Sequence, residues 1–176
     1  DSSVLKSRLL KVIMSCLCII PDLFYYQGYH DVSSILIMIS DDDDEVIRLL
    51  CAISVRYLRD HCLKDINESL IHLRLIPEII KVIDPKFQKV INIPNPIYSL
   101  SSIISIFSHD LNNFDALVQI WDFIFLHDDP TLVIFIYTSM VLYFKDDILL
   151  EVEENGGGND MILFTLSKLI LSLIHI

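Results

Sequence analysis

Tyr25-Tyr26-Gln27-Gly28-Tyr29-His30-Asp31 separates two strongly apolar segments, Val4 to Ile20 before it and Asp31 to Ile39 after it. The first carries apolar residues at positions 5, 9, 10, 13, 17 and 20, the three-to-four spacing of one helical face. Pro21-Asp22 stops it. Asp31 is expected to N-cap the second segment, which makes the run between them a connection from helix to helix. Gly28 lets the backbone turn sharply or approach another chain closely. Gln27 carries both a donor amide and an acceptor carbonyl, so it suits either orienting a water molecule or bracing the loop.

Outward from this run the helical pattern continues. Asp41 to Asp44 reads as a solvated loop that lends negative charge to a helix spanning about Glu45 to His61. Four contiguous aspartates lack the spaced ligands and glycine turn of a calcium loop. Asp65 to Leu75 repeats the apolar spacing, and Pro77 restarts it before Ile83. Asp84-Pro85 pairs an N-cap with a first-turn proline and opens a short helix to about Val90. Ile93-Pro94-Asn95-Pro96 reads as a rigid extended link. Helices are expected at about Tyr98 to Phe107, Asn113 to Leu126 and Thr131 to Phe144. Glu151 to Asp160, with three consecutive glycines, reads as a flexible acidic insertion ahead of a last helix beginning at Asp160. No strand alternation bounded by hairpin turns and no repeat period stands out. The expected fold is all-α, an irregular packing of many helices.

Composition narrows the class further. With 176 residues the chain is about one domain, and 53% apolar residues with a mean hydropathy of +0.53 raise the question of a membrane span. Thr131 to Phe144 falls short of the roughly 20 residues a span needs. The uncharged stretch Val90 to His109 is broken by Pro94 and Pro96, and Met161 to Ile176 is interrupted by Lys168. Buried core helices account for these runs. The net charge of −11 argues against nucleic acid as a partner, because phosphates demand a basic face. Cys16, Cys18, Cys51 and Cys62 are expected as reduced, buried, inert thiols. Cys16 and Cys18 lie two apart on a helix, point to different sides and cannot clamp one metal ion. No phosphate-cradling glycine loop, metal-spaced histidine pair or nucleophile elbow occurs. The sequence does not read as an enzyme with a complete active site of its own.

The seven-residue run Tyr25 to Asp31 resembles the Tyr-x-Gln motif of the TBC domain, the helical GTPase-activating domain for Rab GTPases. The version with Tyr-Tyr-Gln-Gly-Tyr-His-Asp is similar to a subset that includes endoplasmic-reticulum-associated members. A second block agrees with it. Phe107-Ser108-His109, Leu111 and Phe114, followed by Trp121-Asp122-Phe123 and an apolar helix, resembles the family's later motif in the family order. One departure is Gln119, where many members carry an arginine two residues before Trp-Asp.

The resemblance implies a mechanism. GTP hydrolysis needs an in-line water and compensation of charge on the transferring phosphoryl group. In TBC domains both groups come in trans, a glutamine from Tyr-x-Gln and an arginine from an upstream Ile-x-x-Asp-x-x-Arg motif. Gln27 would be the water-orienting catalytic residue, Tyr25 would shape the loop, Gly28 would allow approach to the nucleotide, and Asp31 would cap its helix and stiffen the loop. His109, Trp121 and Asp122 would be structural, with Trp121 a core anchor and Asp122 satisfying nearby donors. The partner would be a Rab GTPase in its GTP form, which itself holds GTP and magnesium, so the domain needs no cofactor or metal. The setting would be vesicle trafficking, in the cytoplasm or on the cytosolic face of endoplasmic reticulum or Golgi membranes. No Ile-x-x-Asp-x-x-Arg pattern occurs here. Arg8 is the one arginine upstream of Gln27, and Leu5 stands where the motif aspartate would be. The expectation is that residues 1–176 are a partial TBC domain beginning after its arginine. The alternative is a non-catalytic helical module that binds a Rab or another partner and tethers it.

Overall fold

The apolar segment ahead of the Gln27 run forms α1 (Ser2–Ile19), and the segment after it forms α2 (Tyr29–Ile39). A computed structural model describes residues 2–91 and 96–154 together with 162, 165 and 166. Every element among these residues is helical. On α1, Val12, Ile13 and Cys16 are buried, with Leu9, Leu17 and Ile20 packed beside them. Leu5 and Leu10 of the expected stripe face outward instead, 54% and 63% exposed. The helix is apolar over most of its circumference, so packing against α2 and α3 (Asp43–Arg56), not spacing, selects the buried face.

The aspartate run does more than sit in solvent. Asp42 N-caps α3 by accepting from the Asp44 and Glu45 amides at 2.9 and 3.4 Å. Asp43 binds Arg8, whose Nε lies 2.6 Å from its Oδ1. The same guanidinium donates to the carbonyls of Ile37 at 3.0 Å and Ser40 at 2.6 Å. Arg8 therefore closes the C-terminal end of α2 and ties α1 to the start of α3. The bond from Lys11 and the pair with Arg8 hold the Asp43 carboxyl below the usual carboxylate range.

Beyond α3 the boundaries differ from the expected ones. α3 ends at Arg56, and Arg59–Cys62 forms a separate 3-10 turn where the sequence suggests helix up to His61. There follow α4 (Asn67–Leu73), α5 (Leu75–Ile83), with Pro77 tolerated in its first turn, and α6 (Pro85–Val90). Asp84 caps α6 as read, accepting from the Phe87 amide at 3.0 Å. The link at 92–95 lies outside the described residues. The helix expected over Tyr98 to Phe107 breaks into a 3-10 turn (Ile97–Ser99) and α7 (Leu100–Ile104), because Ile106 and Phe107 take positive φ. α8 (Phe114–His127) starts at the Asn113 cap, and α9 (Leu132–Tyr143) follows. α10 (Lys145–Glu154) overturns part of the expected insertion, since Glu151 to Glu154 are its last turn. The glycines and the final helix expected from Asp160 lie outside the described residues, apart from 162, 165 and 166.

α1 packs on α2 and α3, α5 on α6 and α9, α4 on α7, and α10 on α9. No helix among the described residues is long and apolar enough to cross a membrane. Of the cysteines, Cys16 and Cys62 are buried and Cys51 is half-buried, but Cys18 is exposed, against the expectation of four buried thiols. Burial pushes the Cys51 and Cys62 thiols up to about 12.

Replacing Arg8 with alanine strips the Ile37 and Ser40 carbonyls of this donor and should cost about 1–3 kcal/mol in urea unfolding. Lys11→Ala removes only the exposed contact to Asp43 and should leave the unfolding midpoint unchanged within error.

Candidate functional site

The chain leaves α1 through Pro21-Asp22, and the Phe24 amide donates to the Cys62 carbonyl at 2.7 Å. Three tyrosines then divide the labour of holding the loop. Tyr26 is half-buried and donates its hydroxyl to the Ile104 carbonyl at 2.6 Å. Tyr29 is fully buried, and its hydroxyl lies 2.6 Å from Ser54 Oγ and 3.2 Å from Cys16 Sγ. Burial raises both phenol pKa values well above the ordinary tyrosine value. Tyr25 is exposed and pairs with His30 Nδ1 at 2.9 Å.

Gln27 projects between these anchors. Its side chain is exposed and makes no hydrogen bond to any described residue. Gly28, by contrast, is buried and sits at φ 113° as the residue preceding α2. A Cβ there would lie 3.5 Å from Tyr26 Cε2 and 3.6 Å from Ile104, ordinary contact distances. The need for glycine is thus set by the backbone angle rather than by lack of space.

Asp31 is not the N-cap that the sequence suggests. It stands in the first turn of α2, where the cap position belongs to Gly28 and no side chain caps the helix. Its carboxylate accepts instead from His109 Nδ1 at 2.9 Å, and His30 Nε2 lies 3.4 Å from its other oxygen. His109 reaches it from the segment between α7 and α8. There Ile106 and Phe107 hold φ values of 48° and 66°. Such non-glycine residues cost on the order of 1–3 kcal/mol each. Trp121, 3% exposed, donates its indole N–H to the Ile106 carbonyl at 2.8 Å, so its place in the core is as expected. Asp122 is different: it is exposed and has no polar partner among the described residues, because α8 turns it away from the core. Gln119 is likewise exposed on α8.

Around this loop lies a cleft of about 490 Å³, walled by the Gln27 run, by His61 to Ser69 and by Leu100 to His109. The second wall adds residues that the motifs do not mark. Lys64 lines the cleft with its Nζ 5.1 Å from the centre of the Phe24 ring. His61 bonds Ser69 Oγ through Nδ1 at 2.8 Å, and its ring lies 6.3 Å from that of Tyr26. Burial, with a smaller contribution from His72, pulls His61 down to about 4. No local sequence signal marks either residue, since each reaches the cleft only through packing. Among the described residues no group of three or more His, Cys, Asp or Glu side chains is arranged to hold a metal ion.

An all-helical domain that displays a glutamine on a tyrosine-braced turn, beside a cleft with one wall on the α7–α8 bend that Trp121 clamps, is the class the site defines. The chain belongs to the Rab-GTPase-TBC domain family, whose model matches residues 1–149. It is 27% identical to the GTPase-activating protein GYP8 of Saccharomyces cerevisiae, over 86% of this chain and 37% of that protein. It is 28% identical to the GTPase-activating protein gyp10 of Schizosaccharomyces pombe, over 88% of this chain and 41% of the relative. With TBC1 domain family member 20 of Homo sapiens it shares 28% identity, over 82% of this chain and 36% of that protein. The chain thus spans about two fifths of the length of these curated relatives.

Gly28→Ala should destabilise the domain by about 1–2 kcal/mol through backbone strain alone, measured by chemical unfolding. His61 gives a pH signature. Its folded value lies below the unfolded one of about 6.5, so its contribution is complete above that pH and is lost as pH falls towards 4. Between pH 7 and pH 4.5 the wild type should lose about 2 kcal/mol more unfolding free energy than His61→Asn.

Proposed function

We propose that this domain stimulates GTP hydrolysis by a Rab-family GTPase in its GTP form, with Gln27 orienting the attacking water in trans. The observation that carries the reading is the exposed amide of Gln27, which bonds no described residue. Tyr26 and Tyr29 hold the loop by bonds up to 78 residues apart in sequence, so Gln27 is not needed as a brace. The rigid neighbours preorganise the backbone that carries Gln27, while its unbonded side chain gives up rotamer freedom when the amide meets a water and a nucleotide. Tyr25 shapes the outer side of the loop, and Gly28 lets the chain turn into α2 directly behind Gln27. GTP and magnesium belong to the partner, and the domain contributes no cofactor. The similarity to GYP8 and gyp10, both GTPase-activating proteins, supports the same reading. The setting that goes with it is vesicle traffic, in the cytoplasm or at the cytosolic face of endoplasmic reticulum or Golgi membranes.

A second reading has its own observation. None of the five arginines in the chain lines the cleft. Arg8 is fully engaged at the end of α2 and is no substitute. Charge on the phosphoryl group without an arginine to offset it costs roughly 10³ to 10⁵ in rate. On that reading the domain binds and tethers a GTP-form Rab without accelerating hydrolysis.

Single-turnover GTP hydrolysis by a panel of Rab GTPases separates the two, with the full-length protein compared against Gln27→Ala. Stimulation that falls by about 100-fold in the variant is expected for a lost water-orienting group. Identical rates with both proteins for every Rab would remove Gln27 from the mechanism, and binding without any stimulation would favour the tether.

A further inference from the structure

The left-handed pair Ile106-Phe107 is over-determined. Both side chains are buried, the Phe107 amide donates to the Ser102 carbonyl at 2.7 Å, and Trp121 clamps the Ile106 carbonyl. The residues that follow are pinned as well. The Ser108 hydroxyl donates to the Ser105 carbonyl at 2.7 Å, and the His109 amide donates to Ser105 Oγ at 3.2 Å. Asp110, buried, accepts from the hydroxyls of Ser101 and Ser102. The backbone of His109 is thereby fixed on both sides, yet its imidazole is 55% exposed and fills no core position. A strained, tightly held backbone that presents an exposed side chain is the pattern of a residue placed for a task.

That task is visible in what the imidazole touches. Its Nδ1 donates to Asp31 Oδ2 at 2.9 Å, joining two segments 78 residues apart. Asp31 is the third residue of α2, and its amide donates to the Gly28 carbonyl at 3.0 Å, directly after the turn that carries Gln27, which the Tyr29 amide closes on the Tyr26 carbonyl at 3.2 Å. His30, which also meets Asp31, binds Tyr25 on the outer side of the same loop. The Asp31 carboxylate is thus the point where the first turn of α2, the outer side of the Gln27 loop and the α7–α8 bend meet.

We propose that His109 is a positioning residue, which holds Asp31 and through it sets the orientation of the Gln27 turn toward the nucleotide site of the bound GTPase. The proposal rests on the reading of Gln27 as the water-orienting group. The bond lies at the surface and contributes little to folding. Its effect falls on geometry, where a displacement of about 1 Å can cost on the order of 100-fold in rate.

The test is single-turnover GTP hydrolysis at increasing concentrations of the full-length protein, with thermal unfolding measured in parallel. In His109→Ala the saturating rate should fall about 10- to 100-fold, with the half-saturating concentration and the unfolding midpoint nearly unchanged. His109→Asn, whose amide nitrogen stands where Nδ1 stands, should recover the rate to within about threefold of wild type. Asp31→Ala should lose at least as much as His109→Ala, since it also removes the contact with His30, and the double variant no more than Asp31→Ala, because both variants remove the His109–Asp31 bond. A raised half-saturating concentration at an unchanged maximal rate would make His109 a partner contact and overturn the proposal. Loss of the fold in His109→Ala, or additive losses in the double variant, would overturn it as well. Full stimulation by His109→Ala beside none by Gln27→Ala sinks the positioning role and leaves the Gln27 reading intact. Full stimulation by Gln27→Ala sinks that reading itself.

Discussion

The hydroxyl of Tyr29 holds the site together. It lies in a wholly buried position, between Ser54 of α3 and Cys16 of α1, so one side chain from the first turn of α2 ties three helices to one point. Leaving such a group unbonded costs about 1–3 kcal/mol, which gives the three helices a strong preference for one arrangement. The loop ahead of it inherits that order. Tyr26 is drawn inward to Ile104 and Gly28 is buried, so Gln27, between them, is the residue left facing out. The exposure of the glutamine is a consequence of how firmly its neighbours are held.

The cleft beside that loop differs in charge from the rest of the chain. The net charge is −11, yet among the described residues Asp31 is the one acidic side chain lining the cleft, and it is paired with His109. Lys64 lines another wall, and burial keeps His61 neutral at physiological pH. A strongly acidic protein would repel an anionic group approaching at random, and a cleft with this lining weakens that repulsion locally.

Much of this was legible in the chain before folding. Asp84 and Asn113 announce their helices because a cap is a local matter, one side chain accepting from an amide three residues on. Gly28 marks a turn for an equally local reason, a backbone angle that other residues rarely adopt. Asp31 misleads because its sequence context suits a cap, while Gly28 and the buried Tyr29 start the helix three residues earlier and free the carboxylate for His109. The helix predicted through Phe107 fails for a related reason. Ile106 and Phe107 have no local cause to turn left-handed, and the burial of their side chains and the Trp121 bond outweigh the backbone cost.

By itself the sequence determined the helical class, most of the helices, the turn at Gly28 and the family motifs around Gln27 and Trp121. These depend on spacing, caps and backbone preference within a few residues. Only the tertiary structure decided which face of α1 is buried, that Arg8 serves as a latch on α2, that Asp122 faces solvent, and that Lys64 and His61 share a cleft with Gln27. It also decided that His109 meets Asp31. These outcomes rest on partners from 13 to 78 positions apart, and no periodicity in the chain encodes which distant groups will meet.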